Sequence, residues 1–136
     1  MSYKTFQISD GISLIQETHV ANFMRCNIWH IKGQEFDLLI DTGMGLSSLK
    51  KYILEETSKP IKAIVTHSHF DHCGSLHEFN CRLGHKNEEE IFKNTLNDKI
   101  VFSGAWKEIE IIDKKQFPEY SGEKYTITPA PLTGYL

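Results

Sequence analysis

The sequence predicts an α/β domain in which helices flank a mixed β-sheet, and three observations carry this prediction. Two β-rich runs, 27–32 and 35–40, are separated by a short step at Gly33 that is typical of a hairpin turn. Apolar residues then recur at helical spacing over 46–54, and a short apolar, β-branched run follows at 61–65. Strands and helices in this order indicate helices layered on a sheet.

Further elements are predicted on either side of the hairpin. Residues 11–17 mix β-branched and polar side chains in the manner of a half-buried strand. The helix that follows the hairpin is expected to begin near Ser47 or Ser48 and to end before Pro60. The next run is short, apolar and bounded by that proline, which favours a buried strand over another helix.

The second half of the chain is predicted to repeat this order. Residues 74–79 are expected to form a short helix and 81–84 a short strand. Asn87 is expected to cap a helix whose first turn holds three glutamates. Runs at 106–112 and 124–128 are predicted strands, the second of them at an edge of the sheet before two prolines.

Composition favours one ordinary globular domain and excludes some classes of partner. The chain has 136 residues, of which 40% are hydrophobic and 24% charged. Because 15 basic residues stand against 18 acidic ones, there is no positive field that would hold DNA or RNA, and no nucleic-acid partner is expected.

The location of the protein is also predicted from simple features. The longest apolar stretches are far shorter than the roughly 20 residues that span a bilayer, so no membrane span is expected. The N-terminal segment lacks the apolar core and cleavage site of a signal peptide. Three cysteines without paired close spacing suit reduced thiols. We therefore expect a cytoplasmic protein.

The segment directly after the predicted buried strand gathers three imidazoles and one carboxylate: His67, His69, Asp71 and His72. Nitrogen and oxygen donors of this kind are ligands that zinc prefers. In an extended backbone alternate side chains share a face, so His67 and His69 can reach one ion. A turn at Phe70 would send the other two side chains towards a second ion. Surface histidines on a loop are the alternative, but four such donors at one strand end disfavour it.

The segment 67–72, with the pattern H-x-H-x-D-H, resembles the signature of the metallo-β-lactamase superfamily. Residues 39–43 resemble the strand-end segment that precedes this signature, and 74–79 resemble the short helix that follows it. Within the superfamily, 27–29 and 40–46 look closest to the glyoxalase II-like thioesterases, which include a palmitoyl-CoA hydrolase branch.

This resemblance implies a metal-dependent hydrolase that cleaves a small-molecule thioester or ester by a metal-bound hydroxide. It implies that His67 and His69 bind a first metal ion. Asp71 and His72 would then bind a second, and Asp71 would also orient the nucleophile. Asp41 would lie near the site as an outer-shell group. Zinc is the expected ion, two in a complete domain, although iron and manganese suit the same ligand types.

The family pattern also requires a third histidine, a bridging aspartate and a last histidine beyond the signature. None is recognisable here, since the last histidine is His85. Residues 1–136 are therefore expected to be the N-terminal part of an incomplete domain, the first half of an αββα sandwich. Such a chain is expected to be poorly active and to leave an apolar sheet face exposed, which invites self-association.

Two other functions stay open beside the hydrolase. The same superfamily contains iron-dependent sulfur dioxygenases with this signature, and ligand type does not separate the two. A truncated, catalytically impaired metal-binding fragment is the other. Among the remaining candidates, His19, His30, His77 and His85 are expected to be structural, and Cys73 is expected to be a buried thiol rather than a ligand.

Overall fold

The structure, a computed structural model, describes residues 2–94, 111–122 and 124–136. Within these residues seven strands form one sheet, in which the spatial order follows the chain order. The strands are β1 (Tyr3–Ser9), β2 (Ile12–Glu17), β3 (Ile28–Ile31), β4 (Asp37–Ile40), β5 (Ile61–Ile64), β6 (Cys81–Gly84) and β7 (Gly134–Tyr135). The helices are α1 (Leu49–Ile53), α2 (Phe70–Cys73) and α3 (Glu89–Asn94), with 3₁₀ turns at Leu76–Glu78 and Lys86–Glu88.

The sheet is mixed because its two halves are connected differently. Strands β1 to β4 pair antiparallel, and β4 to β7 pair parallel. Parallel neighbours need a connection of a dozen or more residues. The segments that carry α1 and α2 supply the first two of these connections. The predicted α/β class with a mixed sheet is therefore confirmed.

Burial alternates along the central strands, so one face of the sheet carries the core. Helix α1 begins after Ser48, whose side chain accepts a hydrogen bond from the Lys51 backbone N–H. At the outer edge the Tyr3 hydroxyl donates to the Ser47 carbonyl at 2.7 Å, which ties β1 to the start of this helix. Buried residues of this face and of α1 are Ile15, Ile28, Leu39, Ala63, Leu49 and Ile53.

The opposite face carries an apolar row that is only half-buried. Its members are paired with one another across five neighbouring strands. They are Leu14, Trp29, Ile40, Ile64 and Leu83. At the edge strand, Phe6 continues the row opposite Leu14 and is 38% exposed. An open apolar face was expected from the sequence, and self-association through it stays a prediction.

Most predicted elements of the first 84 residues are confirmed, with two differences. Strand β1 was not predicted; in it polar and apolar side chains alternate along an edge strand that is exposed beyond Tyr3. The helix predicted at 74–79 is reduced to the 3₁₀ turn Leu76–Glu78, because the main helical turn, α2, begins earlier, at Phe70.

The predictions for the later part of the chain need more correction. Asn87 is not a helix cap: its backbone N–H donates to the ring of His85, which caps the 3₁₀ turn before α3. The strand predicted at 124–128 is wrong, and β7 is the segment that pairs with β6 instead. The strand predicted at 106–112 lies outside the described residues except for its last two positions. None of the described helices has the length and hydrophobicity of a bilayer span.

Candidate metal centre

The candidate site lies where β4 and β5 end, because parallel neighbours end at the same edge of the sheet. Asp41 follows β4 with a positive φ of 64°, which is uncommon for a residue other than glycine. Its backbone N–H donates to the Ile64 carbonyl at 2.8 Å. The Thr66 backbone N–H donates to Asp41 Oδ1 at 2.7 Å, and the Thr66 hydroxyl contacts both carboxylate oxygens. These bonds fix the Asp41 carboxylate at the mouth of the site.

Helix α2 supplies the second half of the site. His69 is its N-cap residue, and the burial of Phe70 and Cys73 anchors the single helical turn. Asp71 and His72 occupy the same turn and are only partly exposed. From the sequence, a turn at Phe70 was expected to redirect these two side chains. The structure has a helix start there.

Two backbone–backbone hydrogen bonds join the α2 segment to the strand-end loop. The Thr42 backbone N–H donates to the His72 carbonyl at 2.7 Å, and the Gly74 backbone N–H donates to the Gly43 carbonyl at 2.7 Å. A β-carbon at Gly74 would lie 2.1 Å from the Met44 backbone, so this contact between backbones requires glycine. The loop after β4 and the helix after β5 therefore form one packed unit.

The structure brings the four predicted ligands together. The ring centroids of His67 and His69 are 4.6 Å apart, and those of His67 and His72 are 4.2 Å apart. Asp71 Oδ2 lies 3.3 Å from His72 Nε2. Their roles as ligands stay a prediction, but their grouping at one strand end is a feature of the fold.

Asp41 orients the ring of His72. Asp41 Oδ2 lies 2.7 Å from His72 Nδ1, so Nδ1 is committed to this bond and Nε2 faces Asp71. Burial lowers the pKa of His72, but hydrogen bonds with Asp41, Asp71 and Cys26 outweigh burial and raise the pKa to about 12. The groups around His72 therefore strongly favour the positively charged form of its ring.

His67 has a different electrostatic environment from His72. Burial, together with the nearby rings of His72 and His69, lowers the pKa of His67, which keeps this ring neutral at physiological pH. A neutral ring is the form that binds a metal ion. Neutral imidazole beside aspartate carboxylates is a donor set that fits a divalent cation.

Cys26 is a neighbour of the site that the sequence analysis did not find. Its buried Sγ lies 3.5 Å from His72 Nδ1, and Cys26, Asp41 and His72 offer ligand atoms within 4.8 Å of one another. Two donors on a tetrahedral zinc ion, with bonds of about 2.0–2.1 Å, lie about 3.3 Å apart, further than the Asp41–His72 contact. We therefore assign this trio to the support of His72 rather than to an ion between them. No sequence signal links residues 46 positions apart.

Glu88 is a second contact that the sequence pattern did not reveal. It was expected only to start a helix, but its carboxylate accepts hydrogen bonds from the Ser68 hydroxyl at 2.5 Å and the Ser68 backbone N–H at 3.3 Å. The ligand loop is thereby tied to the segment before α3. His77 and His85 are both exposed, and His85 serves as the cap described above.

Comparison with known proteins relates the segment around this site to a known family. The family model of the metallo-beta-lactamase superfamily matches residues 21–87, the segment that contains the whole site. The match to this superfamily model agrees with the resemblance that the signature predicted.

Two curated relatives make the comparison more specific. The chain is 37% identical over 100 residues to human acyl-coenzyme A thioesterase MBLAC2, covering 65% of this chain and 36% of that protein. It is 38% identical over 81 residues to the chicken protein of the same name, covering 53% of this chain and 29% of that protein. The chain thus spans about a third of the length of these relatives.

The solved structures show the fold alone, since their sequence identities are low. A metallo-β-lactamase from Cronobacter sakazakii with a HARLDQ motif superimposes with a TM-score of 0.63 at 14% identity, covering 97% of this chain and 47% of that one. The Erythrobacter litoralis metallo-β-lactamase gives a TM-score of 0.54 at 19% identity, covering 66% and 44%. The predicted fold, part of a metallo-β-lactamase sandwich, is confirmed.

Proposed function

We propose that this chain is the N-terminal part of a metal-dependent hydrolase that cleaves a small-molecule thioester or related ester. The observation that carries the proposal is the grouping of three imidazoles and Asp71 at the ends of parallel strands, with Asp41 bonded to His72. The structural relatives, of which this chain covers less than half, support the assignment of residues 1–136 to one part of a longer domain.

The proposed ligands divide into two groups. His67 and His69 would hold one divalent ion, and Asp71 with His72 Nε2 would hold a second. Such ions, when bound, lower the pKa of a water to about 7 and polarise a carbonyl group. The contribution of Asp71 would be to orient the attacking water through a carboxylate oxygen. Asp41 would keep the His72 ring in place through Nδ1.

Zinc is the ion that we propose, since imidazole and carboxylate donors are its usual ligands. The thioester class is supported by the relatives, which are named as acyl-coenzyme A thioesterases. We also propose a cytoplasmic location, because all three cysteines are free thiols.

The chain 1–136 by itself is proposed to bind metal weakly and to hydrolyse slowly. A catalytic zinc ion normally keeps three protein ligands, whereas the four proposed donors supply two for each of two ions. Self-association through the half-buried apolar row would not complete these ligand sets. Weak metal binding and slow hydrolysis are proposed for this chain alone and not for a longer form.

Metal titration of the purified chain tests the site. We expect His69→Ala to weaken zinc binding at least about tenfold, because it removes one of few ligands. His77→Ala is the matched control, since His77 is an exposed histidine on the turn after α2, and it should leave zinc binding unchanged. Equal zinc affinity in wild type and His69→Ala would contradict the proposed site.

The metal content and reaction of the loaded protein test the hydrolase class. Zinc uptake together with release of free thiol from a long-chain acyl-CoA supports it, at a rate far below that of a complete enzyme. One iron per chain with oxygen consumption would instead identify a dioxygenase.

A further inference from the structure

Glu17 is the last residue of β2, and its carboxylate is buried under the loop that carries Asp41. The residue has no exposed surface, and both carboxylate oxygens lie close to the Met44 backbone N–H, at 2.9 and 3.1 Å. The Gly45 backbone N–H is a second donor to this carboxyl. Successive backbone N–H groups around positive-φ residues form a pocket that binds anions.

The backbone of this loop fits closely around the carboxyl group. Gly43 and Gly45 have φ values of 70° and 81°, conformations that favour glycine. A β-carbon at Gly43 would lie 2.6 to 2.7 Å from the three atoms of the Glu17 carboxyl group. The absence of a side chain at Gly43 therefore makes room for the buried acid.

Burying an acid in this way is unfavourable unless its contacts compensate. Burial raises the pKa of Glu17 to about 8, although the Met44 and Gly45 N–H groups oppose this rise. The nearest histidine nitrogen, His19 Nε2, lies 3.9 Å away, and burial lowers the pKa of that ring. An apolar side chain at position 17 would avoid the cost of burial but would leave two N–H donors unpaired.

We propose that Glu17 is a positioning residue for the metal centre, which holds the 41–45 loop so that Asp41 meets His72. The connection is short: the loop runs from Asp41 to the Glu17-bound Met44 in three residues. Between them, Thr42 and Gly43 bond directly to the backbone of His72 and Gly74. The hydrogen bonds of Glu17 go to the Met44 and Gly45 backbone, so its support of Asp41 runs through the loop.

This inference rests on the proposed function for its metal, but its geometry can be tested without metal. In the metal-free chain the Nδ1 proton of His72, bonded to Asp41, is observable by ¹H–¹⁵N NMR of the imidazole. Glu17→Ala should broaden this signal or move it towards that of an unbonded ring. Glu17→Gln, which retains one acceptor oxygen, should preserve it in part.

Zinc affinity supplies the second readout. We expect Glu17→Ala to weaken zinc binding about tenfold or more, as loss of a supporting contact behind a ligand does. Asp37→Ala is the matched control, because it also truncates a fully buried carboxylate next to a histidine but lies at the other end of β4. The control should leave zinc affinity within about twofold and the His72 signal unchanged.

The outcomes separate this inference from the proposed function. A wild-type chain that takes up no zinc would refute the proposed metal centre. The His72 NMR signal would still test whether Glu17 positions the loop. An unchanged His72 signal and zinc affinity within twofold in folded Glu17→Ala would overturn the inference. If Glu17→Ala does not fold, the same two measurements on Glu17→Gln decide: no change overturns it, and partial losses support it.

Discussion

Strand β4 has a histidine–carboxylate pair at each end, and the two pairs differ in what surrounds them. At its start, Asp37 Oδ2 lies 2.8 Å from His30 Nε2, and Asp37 Oδ1 accepts a hydrogen bond from the Gly33 backbone N–H. Both side chains are almost completely buried. Just beyond its end, Asp41 Oδ2 lies 2.7 Å from His72 Nδ1, but the His72 side chain is 24% exposed.

The difference shows that a histidine paired with a carboxylate does not by itself define a metal centre. His30 lies on the covered face of the sheet and joins β3 to Asp37 of β4 next to the turn between these strands. His72 projects from a helical turn, with its second ring nitrogen beside Asp71 and its ring beside His67. A second ring nitrogen that faces another carboxylate, with further donors in reach, is therefore what distinguishes the second pair.

The largest expected effect is on stability, at the buried pair. Removing the Asp37 carboxyl would leave the His30 ring nitrogen and the Gly33 N–H without this partner, and two such losses cost about 2–6 kcal/mol together. We expect Asp37→Ala to lower the free energy of unfolding by about that amount, measured by urea denaturation. Zinc affinity should not change, since Asp37 and Asp41 are four residue steps apart along extended backbone, which is about 13 Å.

The next effect is on metal binding, at the open pair. Asp41→Asn keeps the shape but removes the charge that holds His72, and losses of such supporting contacts weaken metal binding about 10–100-fold. We expect this loss in a zinc competition titration, with a smaller change in unfolding free energy than in Asp37→Ala. A greater loss of zinc affinity in Asp37→Ala, together with a greater loss of stability in Asp41→Asn, would contradict the distinction between the two pairs.

The sequence pointed to the residues of the open pair, though not to their contact, and did not point to the buried pair, for a physical reason. His67, His69, Asp71 and His72 lie within six residues, so local spacing revealed them, and Asp41 was placed near them by resemblance. His30 was expected to be structural, which agrees with its burial, but nothing in the sequence paired it with Asp37. Contacts made by register across strands leave no local pattern.

The same reason explains why Glu17 and Cys26 escaped notice. Glu17 reads as the end of an ordinary strand, and only the fold brings it under residues 43–45. Cys26 lies before β3 and meets His72 through tertiary packing alone. Strands β2 to β6 and the ligand loop were predictable because each depends on a short local run of residues, whereas the supports beneath the loop depend on long-range contacts.

The smallest expected effect concerns the loss of stability at acidic pH, which should differ between wild type and a variant without the Asp37 carboxyl. Burial alone would raise the pKa of Asp37, but hydrogen bonds from His30, Gly33 and Thr57 outweigh it and hold the pKa below its usual value. A carboxyl group with a lowered pKa stabilises the fold above its unfolded pKa of about 3.9, and this contribution is lost as pH falls through the folded value.

Wild type should therefore lose stability below about pH 4 more steeply than Asp37→Asn, which has no carboxyl to protonate at this position. The expected difference is about 1.4 kcal/mol for each unit by which the pKa is lowered. Urea denaturation of both proteins at pH 6 and at steps down to pH 3 measures it, with Glu35→Gln, an exposed carboxyl in the same hairpin, as the control. Parallel pH profiles for wild type and Asp37→Asn would mean that His30 and the hairpin do not stabilise the charged form of Asp37. The buried pair would then differ from the open pair in exposure alone.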